Sequence, residues 1–290
     1  MAEVLLSEAE KIFVIHGVQE DLRTDGRRRH DYRPLEAETG LVTHAAGSAR
    51  VRLANTDVLV GVKAEIGAPD AARPDCGRLE FSVDCSANAT PEFEGRGGEA
   101  LAGSIASCLA RAYSSPGVLD LRQLAIVPAQ QCWILYVDIL ILECGGNLYD
   151  AVSCTVKAAL FNARIPELEV SRADSGRVDV ELSDDPFKVV RLSVENAPCL
   201  ITLLLVDTEC IVDPTQEEEA CSKASLVTAV TATGSVTAVT KAGRGSLHPA
   251  TVSHALKMAS ELGAVLNKTL TAQLEAEERI ENRQIRGFLG

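Results

Sequence analysis

Between Trp133 and Leu142 the chain is apolar at every position except Asp138. A strand that is hydrophobic at successive rather than alternate positions is usually buried on both faces. Cys144, Gly145 and Gly146 follow, and paired glycines let the backbone turn sharply at little steric cost. Asn147 stands where an N-cap would, with Asp150 in the first turn of the helix behind it. Ala151, Val152, Thr155, Val156, Ala159 and Leu160 recur at helical spacing, and Pro166 marks a stop. The stretch predicts a buried strand, a glycine turn and a helix of small residues able to pack closely on a sheet. The N-terminus of such a helix can hold an anion, because its first N–H groups lack partners. Here the turn is followed by Leu148, Tyr149 and Asp150, which supply no cation, and Asp150 would repel a phosphate. The turn alone therefore specifies backbone geometry and no ligand.

The rest of the chain supplies the surroundings. Ser7 and Glu10 have capping-box spacing at the head of a short helix. Arg23, Arg27, Arg28, Arg29 and Arg33 then crowd around an Asp25-Gly26 turn. That run reads either as a solvated loop held by ion pairs or as a contact surface for RNA or a partner subunit. Residues 47–53 and 56–66 read as neighbouring strands joined at Ala54-Asn55, with a further strand over 78–86. A glycine-rich loop carrying Arg96 leads into an amphipathic helix marked by Leu101, Ile105, Cys108, Leu109 and Ala112, which also carries Arg111. Residues 168–185 are polar, a loop or an edge strand, and strand character resumes over 192–194 and 199–206. Asp213-Pro214 interrupts it, and Glu217–Glu219 reads as a solvated turn rather than an acid/base pair. Thr233-Gly234-Ser235 centres a hairpin. From Pro249 a long amphipathic helix is expected to cover a sheet, with residues 278–290 frayed or bound to a neighbour. The order of elements predicts an α+β protein with helices on one face of mixed sheets. Residues 1–30 form an N-terminal helix and basic arm, 31–190 a first domain, and 191–290 a second that ends in the long helix; the halves part between Glu181 and Pro198.

Charge and composition narrow the function. The formal net charge of -13 excludes binding nucleic acid through the overall field, so any such contact needs a local basic patch. Aromatic residues are 4% of the chain, too few for rows of stacking rings. The nine cysteines form no CxxC pair, and Cys132, Cys199 and Cys210 sit in apolar runs. That pattern suits buried free thiols in a reducing compartment rather than zinc or disulfides. No signal-like leader and no apolar run of membrane-spanning length is present, so an intracellular soluble protein is expected. His16, His30, His44, His248 and His254 fall in no nucleophile motif, and neither a G-x-S-x-G elbow nor a Walker loop occurs.

Four segments, in order, resemble the RNase PH family. D-G-R-R-R-H-D-Y-R-P is similar to its opening, and G-S-A-R-V-R-L-A-N-T-D-V-L-V-G-V to its first hairpin. V-D-I-L-I-L-E-C-G-G-N-L-Y-D-A resembles its strand, glycine turn and helix, and C-I-V-D-P-T-Q-E-E-E-A the start of its second sheet. The matches run from about Leu22 to Lys241, and the turn and the V-D-P-T-x-x-E-E segment look most like the non-phosphorolytic ring subunits of the RNA exosome.

The resemblance implies an RNase PH-like fold of two sheet-and-helix halves with a long C-terminal helix. In active members an Arg after the glycine turn helps hold the attacking phosphate; Leu148 takes that place here, with Asp150 adding negative charge. An Asp beyond the acidic run serves those members as general acid, and Ser225 aligns with it. Serine does not readily give up its proton at neutral pH. The implied role is a non-catalytic subunit of a hexameric ring that leads single-stranded RNA through a central channel, supporting 3′-to-5′ processing and degradation by others. Its implied partners are other RNase PH-like ring subunits, exosome cap subunits and associated nucleases, and RNA. No cofactor, metal or membrane is implied, and the expected location is nucleus, nucleolus and cytoplasm. Arg96 and Arg111 are the foremost candidates for RNA phosphate contact, followed by Arg27, Arg28 and Arg29. The alternatives are a phosphate-dependent 3′-to-5′ exoribonuclease with an atypical phosphate site, and a free-standing adaptor unrelated to RNA.

Overall fold

The computed structural model describes residues 6–172, 178–182, 185, 188–222 and 224–284. Helix α1 (Glu8–Gln19) opens with the expected capping box: the Ser7 hydroxyl accepts the Glu10 N–H and the Glu10 carboxylate accepts the Ser7 N–H. The first sheet is built from β1 (Leu35–Thr39), β2 (Gly47–Leu53), β3 (Thr56–Gly67), β4 (Arg78–Cys85), β5 (Ala125–Val127) and β6 (Gln131–Glu143). Its order is β1-β2-β3-β6-β4, with β5 beside β6, and only the β4–β6 pairing is parallel. Helix α2 (Glu99–Tyr113) follows β4, and α3 (Leu148–Asn162) follows the glycine turn.

Short pairs link the halves. β7 (Ile165–Pro166) pairs with β10 (Val189–Val190), and β8 (Leu168–Arg172) with β9 (Val178–Leu182). The second sheet, β12-β11-β13-β14, is wholly antiparallel, with β11 (Cys199–Val206), β12 (Glu209–Val212), β13 (Ala224–Val230) and β14 (Val236–Ala242). Between β12 and β13 lies the short helix α4 (Gln216–Cys221), and α5 (Pro249–Gln284) closes the chain. Among the described residues no helix is long and apolar enough to cross a membrane.

Two expectations change. Helices keep to one face of the first sheet, but the second is covered on both, by α3 and by α5, so that α3 lies between the sheets, against β2 and β3 on one side and β11 on the other. Every residue from Ala151 to Leu160 is buried as a result. Close approach requires small groups, and a Cβ on Gly47 of β2 would lie 2.6 Å from the Ala159 carbonyl oxygen. The second change concerns β6, which is not buried on both faces. Val137, Ile139 and Ile141 face the helices and are buried, whereas Tyr136, Leu140 and Leu142 are half-buried and Asp138 is exposed. Asp138 marked the solvent side of a half-covered sheet. The strand enclosed on both faces is β11: Leu200 and Thr202 turn to α3, Cys199 and Ile201 to α5. Helix α5 also reaches the first sheet, where the Thr39 N–H donates to the Glu277 carboxylate. It remains helical through Gln284; residues 285–290 of the expected tail lie outside the described residues.

Candidate functional site

The two halves meet at the glycine turn. The Gly145 N–H donates to the Thr56 hydroxyl (3.2 Å), which donates in turn to the Gly146 carbonyl (2.7 Å). Gly146 has φ +94°, and a Cβ there would lie 2.6 Å from the Pro214 carbonyl oxygen and 2.7 Å from the Gln216 nitrogen. The turn is thus pressed against the segment between β12 and α4. Asn147 does not cap α3 with its side chain. Its backbone is left-handed (φ 55°), not the extended conformation that capping needs, and its side-chain amide donates to Asp213 (2.8 Å).

Asp213 is the hub. Its buried carboxylate accepts three hydrogen bonds from Arg33, from the backbone N–H (2.8 Å), Nε (2.9 Å) and Nη2 (2.7 Å), and one from Arg27 (3.0 Å). Arg33 also donates to the carbonyls of Gly145 (2.9 Å) and Gly146 (3.1 Å), so one guanidinium ties the basic arm, the turn and the second sheet. Arg23, likewise buried, holds both oxygens of Glu218 and the carbonyls of Val212 and Asp213. Arg29 reaches Asp21 and Glu209. The basic run is therefore tethered by ion pairs, several of them buried rather than solvated.

Electrostatics follow from this packing. Burial works to raise the Asp213 carboxyl, but Arg33 prevails and holds it below the usual range. Glu219, which accepts the Asn147 N–H (3.0 Å), is pushed up to about 7 by burial. Burial likewise pushes Asp150 up to about 7; its carboxyl accepts the hydroxyls of Thr202 (2.7 Å) and Tyr32 (2.9 Å). Two expectations are corrected. Asp150 does not project a charge into the turn but points to β11 and Tyr32. The acidic run is not a solvated turn: Glu217 is exposed, while Glu218 is 1% exposed and completes a capping box with Thr215.

A cleft of about 690 Å³ opens on the turn, lined by Arg27, Arg33, Asn55, Gly145 and Gln216 among others. Its two arginines are held by Asp25 and Asp213. Leu148 is buried in the apolar core and presents neither charge nor donor side chain. Ser225 lies on β13 opposite Leu204 and Ala242, on the side of the sheet that Val227 turns to the helices. Arg96 and Arg111 stand elsewhere, at the two ends of α2. Arg96 is 87% exposed and grips Glu99 (2.9 Å). Arg111 is exposed and donates to the Thr240 hydroxyl (2.9 Å) and the Ser107 carbonyl (3.3 Å). Arg28 is exposed at the basic arm. No contact brings Arg27, Arg28 or Arg29 to Arg96 among the described residues. Reasoning from sequence missed Asp213, Glu218, Glu219, Tyr32 and Thr202. The Thr215-x-x-Glu218 spacing is a capping-box signal that marks the start of α4.

Comparisons with known proteins agree with this architecture. Residues 31–166 match the model of the 3′ exoribonuclease family, domain 1, and residues 196–261 that of domain 2. The RRP42 protein of Dictyostelium discoideum, named for an exosome complex exonuclease, is 34% identical over 91% of this chain and 98% of its own length. The exosome complex component Rrp42 of Pyrococcus furiosus is 31% identical over 93% of this chain and 95% of its own. Among solved structures, a chain of the Archaeoglobus fulgidus exosome with RNA bound to the active site superposes with a TM-score of 0.78, at 27% identity over 90% of this chain and 98% of that one. Two consecutive domain matches, full-length relatives and a shared fold converge: the chain belongs to the 3′ exoribonuclease, or RNase PH, family.

Proposed function

We propose that the chain is a non-catalytic structural subunit of the RNase PH-like ring of the RNA exosome, of the Rrp42 type and matching the ring position called component seven. It supports 3′-to-5′ RNA processing and degradation by other subunits. The observation that carries this reading is the state of the glycine turn: Arg23, Arg27 and Arg33 are engaged by Glu218, Asp25 and Asp213, and the residue after the turn is a buried leucine. Among the described residues, a phosphate there would meet arginines already paired with carboxylates, only Arg27 Nη2 lacking a partner, and two neighbouring carboxyls, Asp213 and Glu219. Loss of an orienting cation and, at Ser225, of an acid removes several orders of magnitude in rate, at about 1.4 kcal/mol per tenfold.

Arg96 and Arg111 are the proposed phosphate contacts for RNA in the channel, with Arg27, Arg28 and Arg29 secondary because ion pairs or carbonyls already hold two of the three. Related ring chains, cap subunits and associated nucleases are the partners, in nucleus, nucleolus and cytoplasm. The test is release of nucleoside diphosphates from a 3′-labelled RNA by the purified chain, with and without inorganic phosphate. The proposal expects none in either condition. Phosphate-dependent release would instead favour a working exoribonuclease with a displaced phosphate site.

A further inference from the structure

One stripe of α3 is polar although the helix is enclosed. Asp150, Ser153, Cys154 and Lys157 are each at most 1% exposed, and each bonds to β11 or to the segment just before it. Ser153 accepts the Leu200 N–H (2.8 Å), which sets the adjoining residues, Cys154 and Cys199, beside one another, and the Cys154 thiol donates to the Cys199 sulfur. Lys157 is fully buried, and its ammonium donates to the Ala197 carbonyl (3.3 Å) and to Asn267 Oδ1 (2.7 Å). The same Asn267 oxygen accepts the Cys199 thiol (3.2 Å), while its Nδ2 donates to the carbonyls of Val230 (2.8 Å) and Gly263 (3.0 Å), so the amide is held in one orientation. A buried ammonium without a counter-charge is costly. The charges that Lys157 feels are those of Cys199 and then Cys154, and burial lowers the ammonium. The Cys154 hydrogen bond, with help from Lys157, holds Cys199 below the ordinary thiol range, and the same bond pushes Cys154 well above it. Beside the pair the Tyr113 hydroxyl is buried without a partner among the described residues; burial and then the two sulfurs push it well up, so it remains a donor for an oxygen bound to sulfur.

We propose that Cys154 and Cys199 are a redox pair that closes to a disulfide under peroxide, with Lys157 supplying the charge and the proton that the first step needs. The Cys199 thiolate attacks one peroxide oxygen; the S–O bond forms, the O–O bond breaks, and the hydroxide leaves as water with a proton from Lys157. The Cys154 sulfur then attacks the Cys199 sulfenic acid; the S–S bond forms, the S–O bond breaks, and a second water carries off the Cys154 proton. The two thiols lose two electrons in all, and the peroxide takes them. Both sulfurs lie out of solvent, which excludes bulky disulfide reagents and leaves a small neutral peroxide as the oxidant. Helix α3 packs on the first sheet and Cys199 opens β11 of the second, so the bond would staple the halves at a point separate from Asp213. The inference stands apart from the ring reading, since it rests on the interior of one chain.

The test treats the full chain with hydrogen peroxide in small steps, alkylates the remaining thiols after unfolding, and maps linkages by mass spectrometry of unreduced peptides. The expected product is a Cys154–Cys199 linked pair, reversed by a thiol reductant and formed before the half-buried Cys76 is oxidised. In the linked chain the urea midpoint should rise by about 1 M, and Cys154→Ser treated in the same way should show no rise. Lys157→Met should slow the linkage about tenfold while Cys76 reacts at its unaltered rate. A lysine that only filled space would act with the opposite sign, because its loss would loosen the core and speed access to the thiols. Oxidation of Cys76 with no linked pair, linkage of Cys85 to Cys144 in its place, an unmoved midpoint, or linkage at an equal or higher rate in Lys157→Met would overturn the proposal.

Discussion

Replacing Asp213 with Asn tests the joint between the two halves. The substitution keeps the side chain's shape, and Asn is among the residues that best tolerate the left-handed backbone at this position (φ 46°), so conformational strain does not confound it. It removes the charge that faces Arg33 and Arg27, and it turns one accepting oxygen into a donor amide. Five hydrogen bonds converge on this carboxylate, three from Arg33 and one each from Arg27 and Asn147. Removing one partner of a buried ion pair leaves the other uncompensated, which costs about 3–5 kcal/mol. That is a large fraction of the roughly 5–15 kcal/mol that holds a typical fold. Urea unfolding followed by Trp133, the chain's single tryptophan and 8% exposed on β6, reads the loss. Adding Arg33→Met to Asp213→Asn removes the stranded guanidinium, so the double variant should be about 1–3 kcal/mol more stable than the sum of the single losses predicts. A loss below about 1 kcal/mol for Asp213→Asn, or strict additivity, would refute the clamp. Because the Asp213 carboxyl is held below its usual range, its stabilisation is present at neutral pH and lost as pH falls through its folded pKa; the variant should lack that acid-side loss.

Asp150 and Glu219 act in the opposite sense. Their folded pKa values, each about 7, lie above the usual carboxylate range, so their stabilisation is present in acid and fades as pH rises through 7. Each should remove on the order of 1 kcal/mol between pH 6 and 8, and Asp150→Asn should reduce that slope in unfolding measured across the range. Gly146→Ala should cost at least about 2 kcal/mol in the same assay, since its Cβ would strike the backbone of residues 214–216 at a left-handed position. Arg96→Glu should lower RNA crosslinking to the assembled complex without dissolving it. Crosslinking equal to that of the unaltered complex would remove Arg96 from the channel.

Local pattern made much of the fold legible. The hairpin of β2 and β3, the helices α1, α2, α3 and α5, and the β13–β14 hairpin follow from periodicity, caps and turn residues. The placement of α3 between two sheets did not follow, although Ala151, Ser153, Ala158 and Ala159 are what an enclosed helix needs. A helix covered on both sides and one covered on a single side can carry the same small-residue pattern, and only the long-range pairing of β11 decides between them. At the site, Leu148 could be read directly because it is a substitution in a local motif. The clamp could not, because Arg33 and Asp213 are separated by 180 residues and nothing local distinguishes a buried aspartate from a turn aspartate. Asp150 was misread for the same reason: its charge is visible in the sequence, but its enclosure by Thr202 and Tyr32 is not.

The most direct test of the central claim is native mass spectrometry of the tagged chain isolated from cells at moderate salt, with phosphate-dependent RNA decay measured on the same material. The account predicts recovery in a large complex of related chains, while the separated subunit releases no nucleoside diphosphate with or without phosphate. A lone chain or self-assembly that releases nucleoside diphosphates only when phosphate is present would contradict it, and would return Leu148 and Ser225 to a working active site.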